Sequence, residues 1–193
     1  VKLFDTILGR TKPVQANLDN LFALPGAAIT LETAAGYKPT GRAGVCFKPP
    51  AGQSFADIRQ EIEQILKMPD PDSRNSALLK DTTDSYGYQW IVVTNDDFDA
   101  LVTQVHVVNS SLAENGYGPQ LLCSVFGFAS TTGSAGPMYL VYLFKQGSFY
   151  PFAPLPNERR DNEAELRLKG VCSSDLRIES DLSRWFPIWD LPL

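Results

Sequence analysis

A single histidine, His106, stands in a chain of 193 residues, and this removes the catalytic schemes that depend on imidazole unless that one ring carries them. His106 falls inside a helical stretch at the edge of its apolar stripe, far from any Gly-x-Ser-x-Gly turn. It reads as a partly buried ring with one nitrogen turned to water or backbone. Cysteine is almost as scarce: Cys46, Cys123 and Cys172 are odd in number, widely spaced and set among apolar neighbours, unlike a secreted disulfide framework. They read as small buried hydrophobes of a reducing compartment. No C-x-x-C pair occurs, so a zinc site of Cys and His has no ligand set. There is no run of about 18 apolar residues and no signal-like start, so neither a membrane span nor export by that route is expected. Long runs of Lys or Arg are missing too, and 17 basic against 22 acidic residues give a net charge of −5, which argues against a nucleic-acid partner. Repeats, low-complexity tracts and heptads are absent, so solenoid and coiled-coil architectures have no support.

What is present suffices for one core. Hydrophobic residues make up 44% of the sequence and charged residues 20%, within the range of a folded domain. The length fits one α+β domain over residues 1–193.

The first twelve residues place Leu3, Phe4, Ile7 and Leu8 at helical spacing beside Lys2, Arg10 and Lys12. This basic amphipathic segment either docks on its own core or touches a membrane or partner. Leu18, Leu21, Phe22 and Leu24 give a second short helical pattern that Pro25-Gly26 is expected to stop. Ile29-Thr30-Leu31 and Val45-Cys46-Phe47 read as a pair of strands around a turn-rich stretch from Gly36 to Gly44. Phe55, Ile58, Ile62, Ile65 and Leu66 mark an amphipathic helix begun by Ser54 and Asp57 and closed before Pro69. Residues 68–84, with two prolines and many small polar residues, read as a flexible loop.

Trp90-Ile91-Val92-Val93 reads as a strand, followed by a helix capped at Asn95-Asp96 whose face carries Phe98, Leu101, Val105, Val108 and Leu112. Gln120 to Ala129 and Met138 to Lys145 form a hairpin through a Gly- and Ser-rich connection, and Phe149 to Phe152 continue the sheet. Residues 163–169 fit either a helix or a short strand, and Leu176 and Ile178 suggest another strand. The expected fold is a mainly antiparallel sheet with two principal amphipathic helices packed on one face and short helices at the N-terminus.

Chemistry-bearing constellations are few. Gly41-Arg42-Ala43-Gly44 and Gly133-Ser134-Ala135-Gly136 lack the full pattern of a phosphate-cradling loop and read as turns, so no cofactor is expected. Asp96-Asp97 are what a helix start favours, and no catalytic residue is assigned. Glu158-Arg159-Arg160-Asp161 either bind an anionic group or form a structural ion-pair network. Six aromatics, Tyr139, Tyr142, Phe144, Phe149, Tyr150 and Phe152, stand next to that segment. Alternation sends some to each side of the sheet. With Trp185 and Trp189 they either fill the core or leave an aromatic and arginine-bearing surface for a partner. The surface so defined comprises Tyr150, Arg159, Arg160, Asp161, Trp185 and Trp189, with Leu3, Phe4, Ile7 and Leu8 as a second contact for membrane or partner.

Four strings, LDNLFALP at 18–25, GPQLLC at 118–123, YLVYLFKQGSFYPFAPLPNERRDN at 139–162 and DLSRWFPIW at 181–189, resemble the PspA-associated protein family PspAB. The resemblance implies a place in the phage-shock envelope-stress system, whose central member PspA is a coiled-coil protein at the inner face of the membrane. It implies no enzyme activity and supplies no functional residues. A non-enzymatic adaptor for PspA is the reading that follows, cytoplasmic or peripheral at that inner face. An anionic-ligand domain, an uncharacterised enzyme and a peripheral membrane protein are the alternatives. Oligomeric state is not legible.

Overall fold

The computed structural model describes residues 17–48 and 78–193, together with Gln60 and Gln64, which are both helical. The N-terminal amphipathic segment at 1–12, the remainder of the helix expected at 54–67, and residues 68–77 lie outside the described residues.

Six antiparallel strands form the sheet: β1 (Tyr37–Phe47), β2 (Leu78–Thr83), β3 (Gln89–Thr94), β4 (Leu121–Ser130), β5 (Met138–Leu143) and β6 (Ser148–Phe152). Their order across the sheet is β2-β3-β1-β4-β5-β6. Three helices are described, α1 (Leu24–Ala35), α2 (Phe98–Leu112) and α3 (Asn162–Cys172), and a short ribbon pairs β7 (Pro154–Leu155) with β8 (Arg159–Arg160). The fold is the mixed α+β arrangement on an antiparallel sheet that the hairpin pattern predicts.

Period-two alternation divides the strands cleanly between two cores. Phe47, Val93, Phe126, Leu140, Tyr142 and Phe149 face the helices, together with Leu24 and Leu31 of α1, Leu101 and Val105 of α2 and Leu168 of α3. Cys46, Trp90, Cys123, Val125, Val141, Leu143, Tyr150 and Phe152 face the other way. Both faces are therefore apolar and both must be covered, since a fully buried large apolar side chain contributes about 1.5–3 kcal/mol relative to leaving it exposed.

The structure departs from the local reading in five places. The stretch from Gly36 to Gly44, read as turn-rich, is strand from Tyr37 onward as the first part of β1, its glycine-bearing middle taken up by a register shift between Pro39 and Ala43. Residues 29–31 are helical: the spacing of Leu24, Ala27, Ala28 and Leu31 has the 3.6-residue period, and burial of that stripe overrides the β preference of Ile29-Thr30. Pro25 does not stop the chain but sits in the first turn of α1, where no hydrogen bond is lost by its missing N–H. The helix ends instead at Gly36, whose φ of 68° is the left-handed cap, with its N–H donating to the carbonyls of Glu32 and Leu31. Residues 78–83, read as loop, pair with β3 in continuous register from Leu78 opposite Thr94 to Thr83 opposite Gln89. Asp84 organises that hairpin, its Oδ1 accepting from the N–H groups of Tyr86 and Tyr88 and its Oδ2 from the Trp90 indole at 2.8 Å. The cap of α2 is Asp97, whose Oδ1 accepts from Ala100 N–H at 3.0 Å, and Asn95 lies just before it, accepting from Asp97 N–H. Of the two options left open at 163–169, the helix is the one formed.

Candidate interaction surface

After α3 the chain returns along the free edge of β6, where Phe149 N–H donates to Arg177 O and Glu179 N–H to Phe149 O, each at 2.8 Å. It then leaves the edge and crosses the second face of the sheet as an irregular strap, residues 179–193. The only regular turn in it is Leu182–Arg184. Side chains of the sheet and of the β7–β8 ribbon hold it at successive points, and one indole bond inside the strap folds it on itself. Ser148 Oγ donates to Glu179 Oε2 at 2.8 Å, and the Trp185 indole donates to Glu179 O at 3.0 Å. Tyr150 hydroxyl donates to Phe186 O at 2.7 Å, and Arg160 Nη1 donates to Trp185 O. Arg42 Nη2 reaches Pro192 O at 3.0 Å, so the strap spans from β6 to β1. Gly44 makes that crossing possible: a Cβ there would stand 3.0 Å from Trp90 Cε3 and 3.3 Å from Leu193 Cδ2.

Aromatic contacts fill the space beneath. Trp185 stacks on Tyr150 with ring centroids 5.7 Å apart, and Trp189 meets Phe152 edge-on at 5.4 Å. Burial pushes the Tyr150 hydroxyl above its ordinary range, so it stays protonated as a donor. Glu179 is subject to opposing effects. Burial pushes its carboxyl up, but the N–H of Asp181, the Ser148 hydroxyl and Arg184 nearby outweigh it, leaving the group below the ordinary carboxylate value.

The residues named from sequence therefore divide. Tyr150 and Trp185 are interior and act by anchoring the strap, because the face on which they stand is covered. Arg160 forms a forked pair with the buried Glu165, Nε to Oε1 at 3.0 Å and Nη2 to Oε2 at 2.9 Å, and lies 5.5 Å from the centre of the Phe152 ring. Its guanidinium is committed to structure, and its acid partner is Glu165 rather than the adjacent Glu158 or Asp161. Asp161 caps α3 through Ala164 N–H at 2.9 Å. Arg159 is exposed, with Nε 3.3 Å from Pro156 O, and Trp189 is half-buried. Leu3, Phe4, Ile7 and Leu8 lie outside the described residues. His106 packs its ring 4.9 Å from that of Phe22, with Nε2 3.7 Å from Asp19 Oδ1.

Two residues that the aromatic count passed over are the ones on the outside: Phe186 is 59% exposed and Leu182 52%. Phe186 directly follows buried Trp185 in the irregular strap and its side chain is turned outward. On the same strap Trp189 is half-buried and Arg184 is half-exposed and paired with Glu179 and Asp181, while Arg159 is exposed on β8.

No helix among the described residues is long and apolar enough to cross a membrane. The model of the family PspAB, described as PspA associated protein B, matches residues 1–193. No curated protein matches the chain, and no solved structure does.

Proposed function

The chain belongs to the family of PspA associated protein B, and from that premise we propose that it is a non-enzymatic binding protein, an adaptor that docks on PspA. The family description names an association and no reaction. The observation that carries the docking face is Phe186, a large exposed aromatic whose own carbonyl accepts from Tyr150 and whose neighbour Trp185 accepts from Arg160. An exposed aromatic held rigid loses little entropy on binding, and aromatic residues with arginine are the usual anchors of an interface. The contact surface so proposed comprises Leu182, Phe186, Trp189, Arg159 and Arg184, with Tyr150, Trp185, Arg160 and Asp161 supporting it from below. A coiled-coil partner, the kind the resemblance implies, buries its own apolar seam and offers the outer faces of its helices, and helix-on-face docking is the mode proposed for this surface. The proposed setting is the cytoplasmic side of the membrane.

Size-exclusion chromatography with light scattering, on a mixture with the PspA-type protein of the same cell, tests the association. Co-elution is expected, and its loss in Phe186→Ser with Arg159→Glu, two exposed positions outside the anchoring network, is expected in turn. Separate elution of two folded proteins sinks the adaptor reading. Retained co-elution of the double variant moves the contact off the strap.

A further inference from the structure

Cys46 in β1 stands directly opposite Cys123 in β4 in the antiparallel register. Both side chains belong to the cluster beneath the strap, 4% and 8% exposed. All three cysteines are free thiols, but only these two face each other across a strand pair, whereas Cys172 is packed in the core on the helix side of the sheet. Opposed residues of an antiparallel pair hold their Cα atoms about 4.5–5.5 Å apart. That lies inside the span of about 4.4–6.8 Å that a disulfide bridges. The register shifts immediately after Cys46, so the ladder is interrupted next to where such a bond would close.

We infer that Cys46 and Cys123 are a reversible redox pair, converted to a cross-strand disulfide by a hydroperoxide that reaches them when the C-terminal strap lifts. In the closed molecule the pair is held unreactive. The facing Cys123 thiol, burial, and the nearby Asp84 carboxylate all push the Cys46 thiol upward, which suppresses the thiolate that would attack. The strap is the natural gate. It is attached through side chains of β1, β6 and β8 and by no strand ladder beyond Glu179, so it opens at lower free energy than the sheet. Opening admits water and peroxide together.

The chemistry then balances. One thiolate attacks the peroxide oxygen; an S–O bond forms, the O–O bond breaks, and the other oxygen leaves as water or alcohol. The second thiolate attacks the resulting sulfenic sulfur; the S–S bond forms, the S–O bond breaks, and hydroxide leaves as water. Two thiols give up two electrons and two protons, all of which the peroxide takes.

The test treats the native protein with hydrogen peroxide, quenches it, alkylates after denaturation, and maps the products by peptide mass spectrometry. A linked Cys46–Cys123 peptide lighter by about 2 Da is expected, restored by dithiothreitol, with Cys172 alkylated throughout. Cys46→Ser and Cys123→Ser should each leave a sulfenic acid on the remaining partner, trapped by dimedone. Tyr150→Phe removes the hydroxyl that holds Phe186 O and should raise the rate about two- to twelve-fold, the factor equivalent to one lost hydrogen bond of ordinary net strength. Failure of peroxide to link the two cysteines in both native wild type and native Tyr150→Phe, while the same peptides link in urea, overturns the pair. Linkage at equal rates in wild type and Tyr150→Phe overturns the strap as its gate.

Discussion

Removing the Trp185 side chain tests the strap most directly. The indole is only 5% exposed, stacks on Tyr150 at an interplanar angle of 22°, and donates to Glu179 O at 3.0 Å. A buried Trp→Ala change costs about 3–5 kcal/mol. Of this the aromatic pair supplies about 0.5–1.5 kcal/mol beyond its area. The indole hydrogen bond supplies a similar amount, about 0.5–1.5 kcal/mol, and the remainder is apolar area returned to water. The loss falls first on the strap, because the helix-side core does not touch Trp185. A loss of about 3–5 kcal/mol corresponds to about 150- to 5,000-fold more of the open form. Trypsin cleavage after Arg184, in the turn next to Trp185, reads that population. Urea unfolding followed by circular dichroism reads how much of the loss reaches the sheet. Trp185→Ala should be cut much faster than wild type and unfold at lower urea. An unfolding free energy lowered by less than about 0.5 kcal/mol, together with unchanged cleavage at Arg184, would refute the view that Trp185 locks the strap to the sheet.

Three further perturbations probe the same network. Arg160→Met leaves the buried Glu165 carboxylate without its forked partner and should cost about 3–5 kcal/mol at neutral pH; adding Glu165→Gln should recover much of it, and a double variant as unstable as the single contradicts the pairing. Glu179 has its folded-state pKa depressed below the ordinary 4.5, so its stabilising contribution is fully present above 4.5 and is lost as pH falls through the folded value; hydrogen exchange of the strap should rise on acidification below that point, and Glu179→Gln should flatten the dependence. Gly44→Ala forces a methyl against Trp90 and Leu193 and should cost about 1–3 kcal/mol by urea denaturation, partly recovered by Leu193→Ala.

Much of the sheet was legible because its strands carry their own pattern. Leu140, Tyr142 and Phe144 against Tyr139, Val141 and Leu143 is an alternation of two apolar sets, and it announces a strand buried on both sides. Reading such a strand as half-exposed is what placed Tyr150 and Trp185 on an outer surface. The second cover was not legible as an element, because residues 179–193 hold no helix longer than Leu182–Arg184 and no strand of the sheet. Its fixity comes from contacts distant in sequence, such as Arg42 with Pro192 and Tyr150 with Phe186. The helical spacing of Leu24, Ala27, Ala28 and Leu31 was present in the sequence, but Pro25-Gly26 read as a stop masked it. β2 carries too weak a pattern in Lys80-Asp81-Thr82-Thr83 to stand alone, and pairing with β3 makes it a strand. For the arginines, composition identified a network near Glu158–Asp161 but not its partner, since Glu165 comes into reach only once α3 has formed.

The two functional proposals are linked by the strap, and the link predicts a number. A PspA-type partner seated on Phe186 and Leu182 holds the closed strap, whereas the cysteine pair reacts only from the open one. A ligand that binds one state stabilises it by about 2.7 kcal/mol at one hundred times its dissociation constant, which lowers the open population about 100-fold. Peroxide oxidation of Cys46 and Cys123 should slow by that same factor when the partner is present at that excess, and by linkage the open form should bind the partner correspondingly weakly. The assay is the linked-peptide yield against time with and without the PspA-type protein, using a cysteine-free version of the partner so that it consumes no peroxide through thiols. If the rate is unchanged at saturation, the partner does not bear on the strap and its contact lies on another face. If the rate rises, the partner takes hold of the open strap, and the second face of the sheet, with Trp90, Val125 and Val141, becomes the surface that binding uncovers.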